Sequence, residues 1–544
     1  MNLVKRIAVA FMALAVAAVF ISCKNNKSDF LSYQFTPEPT VAPIVTPMPE
    51  GAAEISVVMP EEIESSNPYL VTSRDLMSLY WLIFEPLIKF DETGEAVPML
   101  AQTWEQDETG KKWTITLRDD VYWQQSGRKM DAYDVEFTLD HMNQLRREQD
   151  NDYCEELGYI SYWKVIDDRT IWIYSYEPFY GTIQAMDFPI LPRDGGYSLT
   201  TEPMFPAGSG PYKVTSWYPG QEIVLEYNEN WWQRKPVIGK IVAKPFDNNS
   251  LAVSALQLSQ LDVVQTDQIA LLASDQVLDI FSYEYTTRYY EFLVPNLRAQ
   301  LLSDKRIRQA IAYALDRDEI VSNVYINHAI PVDTPVPPSS FLYTGQLLTY
   351  DNDVEEAKNL LRLAGWKYLD DDDPWLDVSP EGFEEDFTIT LLANNDGDSP
   401  YRIEAAKYIA KQLEEVGIKV DVKSEPWEEY SNMVHEGRFD LLLGGWYLND
   451  IPDLRFAIGS EGSQNISGYK DIEMDEMLLN VMQQKSKEGL MNSFETLQQK
   501  IIDELPIISL YFRTHTLLTK SNITNVAQVG EENAYASIQY WEIK

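Results

Sequence analysis

An α/β protein of two or three domains is the fold class this chain predicts, from its length and from its alternation of periods. Its 544 residues exceed what one hydrophobic core serves, and 45% hydrophobic with 12% aromatic residues can fill more than one. Ile307, Ile311 and Leu315 recur every four residues, the stripe of a helix packed on one face, with Ser303 placed to cap it. Ile403 to Val416 reads as a further helix, Ile418, Val420 and Val422 as a strand, and Phe439 to Gly445 as a buried apolar strand. Helix and strand alternating in this way build an open sheet with ligand crevices at its edges.

The N-terminus has the layout of a secretory signal: Lys5 and Arg6, an apolar run from Ile7 to Ile21, then Ser22-Cys23. The apolar run is shorter than the roughly 20 residues that span a bilayer. The stretch resembles a bacterial lipobox, although Phe20 stands where Leu is usual. The resemblance implies cleavage before Cys23 and a lipid on that cysteine, so the rest is expected outside the membrane. With Cys23 lipidated, Cys154 has no partner among the two cysteines and is expected as a buried thiol. From Lys24 to about Glu50, prolines 37, 39, 43, 47 and 49 make a stalk that cannot form a core.

Lys+Arg 44 against Asp+Glu 85 gives a net charge of −41. Phosphate backbones and anionic lipids repel such a chain, so nucleic acid is not an expected partner. The acidity suits cationic ligands, and more simply a solvated, aggregation-resistant surface.

The folded part begins near Glu54, where Ile55, Val57 and Met59 alternate as in a half-buried strand, and an apolar segment from Leu76 to Leu87 fits a helix. In LAQTWEQDETGKKWTITLRDDVYWQQSGRKMDAYDVEFTLDHM, residues 100–142, Trp113, Ile115 and Leu117 alternate along a strand. Asp119-Asp120 opens a turn, and Asp131 can cap a helix bearing Val135, Phe137 and Leu139. This segment resembles the signature region of family 5 extracellular solute-binding proteins, the peptide-binding subunits of ABC importers. Leu117, Arg118, Asp119, Asp120, Val121 and then Asp134, Val135, Phe137 and Thr138 match its pattern. The resemblance continues, in the family's order, through Gly208 to Trp232, Leu258 to Gln265, Asp304 to Val321, Glu355 to Trp366 and Asn465 to Leu478.

The resemblance implies a two-lobed, periplasmic-binding-protein-like (Venus flytrap) fold with an additional inserted domain. Lobe I is expected at 54–93, 195–288 and 512–544, the inserted domain at 94–194 and lobe II at 289–511. Tyr289 to Asn296 and Ile507 to Arg513 are the expected crossings between lobes. The implied function is capture: the lobes close over a ligand and present it to a membrane permease. A peptide binder that accepts varied side chains takes its affinity from backbone amides and from the terminal ammonium, which needs a carboxylate once water is expelled. A monomer is expected, with no cofactor.

The family places that carboxylate in a Gly-Trp-x-x-Asp segment after a buried strand. Here the segment is GGWYLNDIPD, Gly444 to Asp453. Gly445 and Trp446 match; an ungapped reading puts Asn449 at the acidic position, and one extra residue puts Asp450 there. Asp450 is the candidate ammonium partner, and Asp before Ile451-Pro452 also suits a turn. Trp446 and Tyr447 are candidate cleft walls, as are Trp427, Tyr290 and Tyr511 by their places beside the crossings or the lobe II strands. Thr72 and Ser73 are candidates in the loop after Asn67-Pro68, where family members contribute contacts.

Nothing in the motifs points to catalysis or to a metal. His141, His328, His435 and His515 are far apart in sequence, and there is neither a GxSxG elbow nor a GxxxxGK[ST] loop. The acidic run Asp370 to Asp373 lacks the pattern of an EF-hand and reads as a solvated loop. The family also carries nickel complexes, haem and oligosaccharides. An oligosaccharide is the alternative ligand, given 14 Trp and 32 Tyr, and a peptide receptor feeding signalling is the alternative role.

Overall fold

Two long antiparallel strands, Ile280–Pro295 and Ile508–Lys520, run through the middle of an 11-stranded sheet. The computed structural model describes residues 53–544 apart from 64, 92–93, 150–156, 200–204, 268–278, 345–348, 369–374, 379–383, 387, 396–399 and 450. Cys23, the stalk to residue 52, Cys154, Asp370 to Asp373 and Asp450 therefore lie outside the described residues.

Beyond Ile280–Pro295 the sheet continues through Leu441–Tyr447, Thr388–Asn394 and Lys419–Glu425. Beyond Ile508–Lys520 it continues through Val263–Thr266, Ala53–Met59, Ile238–Pro245, Glu222–Tyr227 and Tyr212–Tyr218. Thr388–Asn394 is parallel to both its neighbours, and so is Ala53–Met59. Each side is thus an α/β lobe with a parallel heart, and the antiparallel long pair joins them. The join is visible in the register. Ile280 to Thr286 pair with Lys520 to Thr514, pairing lapses, and it resumes at Tyr290 opposite Phe512, with a second shift at Glu291/Phe292. In the gap, the Thr287 hydroxyl donates to the Arg513 carbonyl at 2.9 Å and accepts from the Tyr289 amide at 3.2 Å.

Several local expectations change in this setting. The strand Ala53–Met59 is buried throughout from Ile55, not on alternate positions. Ile55, Val57 and Met59 face one core while Val58 packs with Ala252, Val253 and Leu256 of the helix Asn249–Gln257, as in a parallel strand covered on both faces. The helix expected from Leu76 to Leu87 spans only Arg74–Tyr80. Past it, the Leu82 and Ile83 carbonyls accept from the amides of Tyr212 (3.0 Å) and Gly210 (2.8 Å). A Cβ on Gly208 would lie 2.1 Å from the Ile83 carbonyl oxygen, so the Gly-Ser-Gly of the signature serves backbone-to-backbone packing. The helix Lys305–Ala314 is capped by Asp304, which accepts from the Arg306 amide at 2.9 Å, and Ser303 ends the short helix before it.

A separate four-stranded sheet, in the order Ala101–Gln106, Lys112–Leu117, Thr170–Ser175 and Ile160–Asp167, lies within the 94–194 stretch. Trp113, Ile115 and Leu117 form its inner face, with Ile171 and Ile173 beside them. Asp134, near the start of the helix Ala132–Gln149, is wholly buried. It accepts from Trp123 Nε1 (3.0 Å), Arg128 (2.6 and 2.9 Å) and the amides of Asp131 (3.0 Å) and Arg193 (3.1 Å). Thr138 donates to the Asp134 carbonyl at 2.8 Å and accepts from the Leu191 amide at 2.9 Å. The Asp-Val-x-Phe-Thr signature is therefore a structural hub that fixes the helix to the loops around it.

Candidate functional site

The strand Leu441–Tyr447 carries the Gly-Gly-Trp motif to the edge of a cleft. Gly445 permits a close approach: a Cβ there would lie 2.8 Å from an Arg402 guanidinium nitrogen and 3.0 Å from the Tyr290 carbonyl oxygen. Past the strand, Asn449 and Ile451 both line the cleft, one on either side of position 450.

The cleft is open to solvent. Phe90, Asp91 and Gly94 come to it from the hairpin of Ile88–Phe90 and Ala96–Pro98. Tyr159, Phe179 and Asp187 come from the segments bordering the four-stranded sheet, and Ser339 to Phe341 from the chain after the strand Ala329–Pro331. Arg288, in the gap of the long strands, and Glu532 complete the lining and are bonded to each other. Gly94 has φ +71°, and a Cβ there would lie 2.3 Å from the Phe341 ring, so glycine lets the hairpin meet that ring. Asp91 accepts from the Glu95 amide at 3.0 Å, which holds its carboxylate on the hairpin turn.

Beside the long strands lies a polar cluster that the sequence reading missed. Arg74 bonds Glu531 at 3.1 Å and also His515, and Asp75 accepts from Gln265 at 3.1 Å. Burial pushes the Asp75 carboxyl up to about 7, against the pull of Arg74. Burial likewise raises Glu531, whose Oε2 has no hydrogen-bond partner among the described residues. Deeper in the crossing, Glu291 accepts from Arg402 at 2.8 and 3.0 Å and is bonded to Arg513. Burial opposes its ionisation, but the two guanidiniums bring the carboxyl below the usual range.

The expected site residues are spread over distinct settings. Tyr447 is 52% exposed and meets Tyr289 edge-on at 5.3 Å, beside the cleft-lining loop. Trp446 is half-buried, 4.0 Å from the Phe292 ring and 5.2 Å from Phe456. Tyr290 and Tyr511 are wholly buried, and their hydroxyls bond Ser509 at 2.6 Å and Tyr325 at 3.0 Å. Both belong to the packing around the crossing strands and not to an open wall. Trp427 begins the helix Trp427–Glu436, 61% exposed and stacked on Tyr430 at 5.6 Å, and is not among the cleft-lining residues. Ser73 caps the helix Arg74–Tyr80 by accepting from the Leu76 amide at 3.4 Å, with Thr72 exposed before it. Asp91, Asp187, Arg288 and Glu532 carried no signal in the sequence, because only the tertiary fold brings them together.

The model of bacterial extracellular solute-binding proteins, family 5 Middle, matches residues 95–468. The chain belongs to this family. It is 25% identical over 346 residues to the oligopeptide-binding protein AppA of Bacillus subtilis, a match that spans 62% of each protein. To the oligopeptide-binding protein OppA of the same organism it is 24% identical over 532 residues, 91% of this chain and 93% of the relative. Among solved structures, the unliganded open form of the periplasmic murein tripeptide binding protein MppA superposes with a TM-score of 0.76. That match has 19% identity and covers 91% of this chain and 98% of that one. The two-lobed fold is thus common to the chain and its relatives.

Proposed function

We propose that this family 5 protein is the substrate-binding subunit of an ABC importer, and that it captures oligopeptides by lobe closure and delivers them to a permease. The observation that carries the reading is the loop after the Gly-Gly-Trp strand. It reaches a cleft that also takes Arg288 from the gap of the long strands, Phe90 and Asp91 from the hairpin and Ser339 to Phe341, with Asn449 and Ile451 in the lining. In this reading Asp450 receives the peptide ammonium, Tyr447 and Trp446 border the ligand, and closure turns on the Thr287–Tyr289 gap. The lobe limits proposed are 54–93, 195–288 and 512–544 against 289–511, with 94–194 inserted. The two relatives named as oligopeptide-binding proteins support the choice of ligand. The role is one of binding, not catalysis.

Native mass spectrometry of the purified protein tests the reading. A distribution of co-purified peptide masses is the expected result. A protein that carries none, and is thermally stabilised by oligosaccharides and not by peptides, would move the assignment to sugar import. Asp450→Asn is expected to weaken peptide binding at least tenfold, because it leaves a buried ammonium without its counter-charge; unchanged affinity in calorimetry would remove Asp450 from the site.

The same proposal includes export and a lipid on Cys23, with residues 23–53 as lipidated cysteine and stalk. Cys23→Ala should release the protein from the membrane fraction without altering ligand affinity. A variant that still sediments with membranes would overturn the anchor.

A further inference from the structure

The charges around the cleft answer one another. Arg288 is bonded to Glu532, and Lys89, beside Phe90 on the hairpin, lies within electrostatic reach of Asp187 and Glu532. Lys487 bonds Glu95 at 2.7 Å and stands 5.1 Å from the centroid of the Phe341 ring. Asp91 is held on the hairpin turn by the Glu95 amide. A charged ligand group of either sign would have to take its counter-ion from a protein group that already holds it, and its lost hydration would go uncompensated.

What the lining offers a ligand is ring surface beside small residues. Phe90, Tyr159 and Phe341 are half-buried and reach the cleft from three separate segments of chain. Tyr159 packs on the buried Phe179, with ring centroids 5.4 Å apart, and Ile451 adds an alkyl group from the loop after the Gly-Gly-Trp strand. The lining residues Gly94, Gly181 and Ala185 carry nothing larger than a methyl group. Gly181 has to be small, since a Cβ there would lie 2.4 Å from the Phe179 ring and 3.2 Å from Ile451 Cδ1. Covering the half-buried rings with an apolar group removes their remaining surface from water, and a phenyl ring gains further from edge-to-face contact with them.

We propose that the cleft seats a large apolar side chain of the captured peptide, a phenyl ring above all, against Phe90, Tyr159 and Phe341. The inference rests on the reading of the cleft as a peptide site and adds the kind of side chain that the site prefers.

The test uses the full-length protein in mild detergent and tripeptides in which each position of an alanine background is in turn phenylalanine, lysine or glutamate. At one position, phenylalanine is expected to bind at least tenfold more tightly than alanine, with lysine and glutamate no tighter than alanine. In the Phe341→Ala variant that phenylalanine-to-alanine ratio should fall toward one. Ser339→Trp fills the recess from an exposed position of its lining and should have the same effect, so the test stands even where the loss of Phe341 disturbs the fold. A ratio near one at every position, a lysine or glutamate peptide as tight as the phenylalanine peptide, or a ratio that survives in both variants overturns the apolar selection and leaves peptide capture standing. Failure of every peptide to bind overturns peptide capture itself, and this inference with it.

Discussion

Asp134→Ala should destabilise the part of the molecule around the four-stranded sheet by about 3–5 kcal/mol, the loss expected when one member of a buried charge pair is removed. The carboxylate is wholly buried and receives the Trp123 indole, two Arg128 nitrogens and two backbone amides. Removing it takes the acceptor from the indole and the two backbone amides, while Arg128 keeps Asp194, Asp131 and the Lys129 carbonyl. Asp134→Asn should cost less, because it keeps an acceptor and loses only the charge. Hydrogen exchange is the suitable measurement. Amides of Lys112–Leu117 and Thr170–Ser175 should lose protection in the alanine variant while those of Thr388–Asn394 keep theirs. Equal protection in both regions would contradict the hub role of the signature aspartate.

That hub shows what could be read from the chain. Asp134, Val135, Phe137 and Thr138 were recognisable because they match the family's pattern, and the strand of Trp113, Ile115 and Leu117 was recognisable by its period. Nothing local marks Glu85, which is buried and accepts from the indoles of Trp231 and Trp232, 146 and 147 positions away. The half-buried reading of Ala53–Met59 failed for a related reason. Period two reports which residues share a face, and only the tertiary structure tells how many faces are covered. The cap of Lys305–Ala314 moved by one residue, within the usual uncertainty of a helix end.

The cleft divides in the same way. Its Gly-Gly-Trp edge is a contiguous motif, and it lies beside the cleft-lining loop. Tyr290 and Tyr511 were placed by proximity to the crossings, but alternate side chains of a strand point to opposite faces. Tyr289 and Tyr447 sit opposite each other and exposed, while Tyr290, one residue on, is in the core. The cleft-lining Asp91, Asp187 and Glu532 come from separate stretches of chain, so no window of the sequence contains them together.

Glu291→Gln carries the other large expected effect. Glu291 lies on one crossing strand, Arg513 on the other, and Arg402 near the start of the helix Pro400–Glu415 in the second lobe. One buried carboxylate therefore ties both crossing strands to a helix, next to the register shift at Glu291/Phe292. Glutamine leaves two largely buried guanidiniums without their shared counter-charge, and a loss of about 3–5 kcal/mol is expected at pH 7. The pH dependence follows from the position of the titration. The folded carboxyl ionises below its ordinary range, so it binds a proton less readily than in the unfolded chain. Its stabilising contribution is complete above the ordinary glutamate value near 4.3 and disappears as the pH falls through the lower folded value. Urea unfolding of wild type and variant should therefore differ widely at pH 7 and converge as the solution is acidified. A gap that stays constant down to pH 2.5 would mean that Glu291 acts through its shape and hydrogen bonds, and that the charge at the crossing contributes nothing.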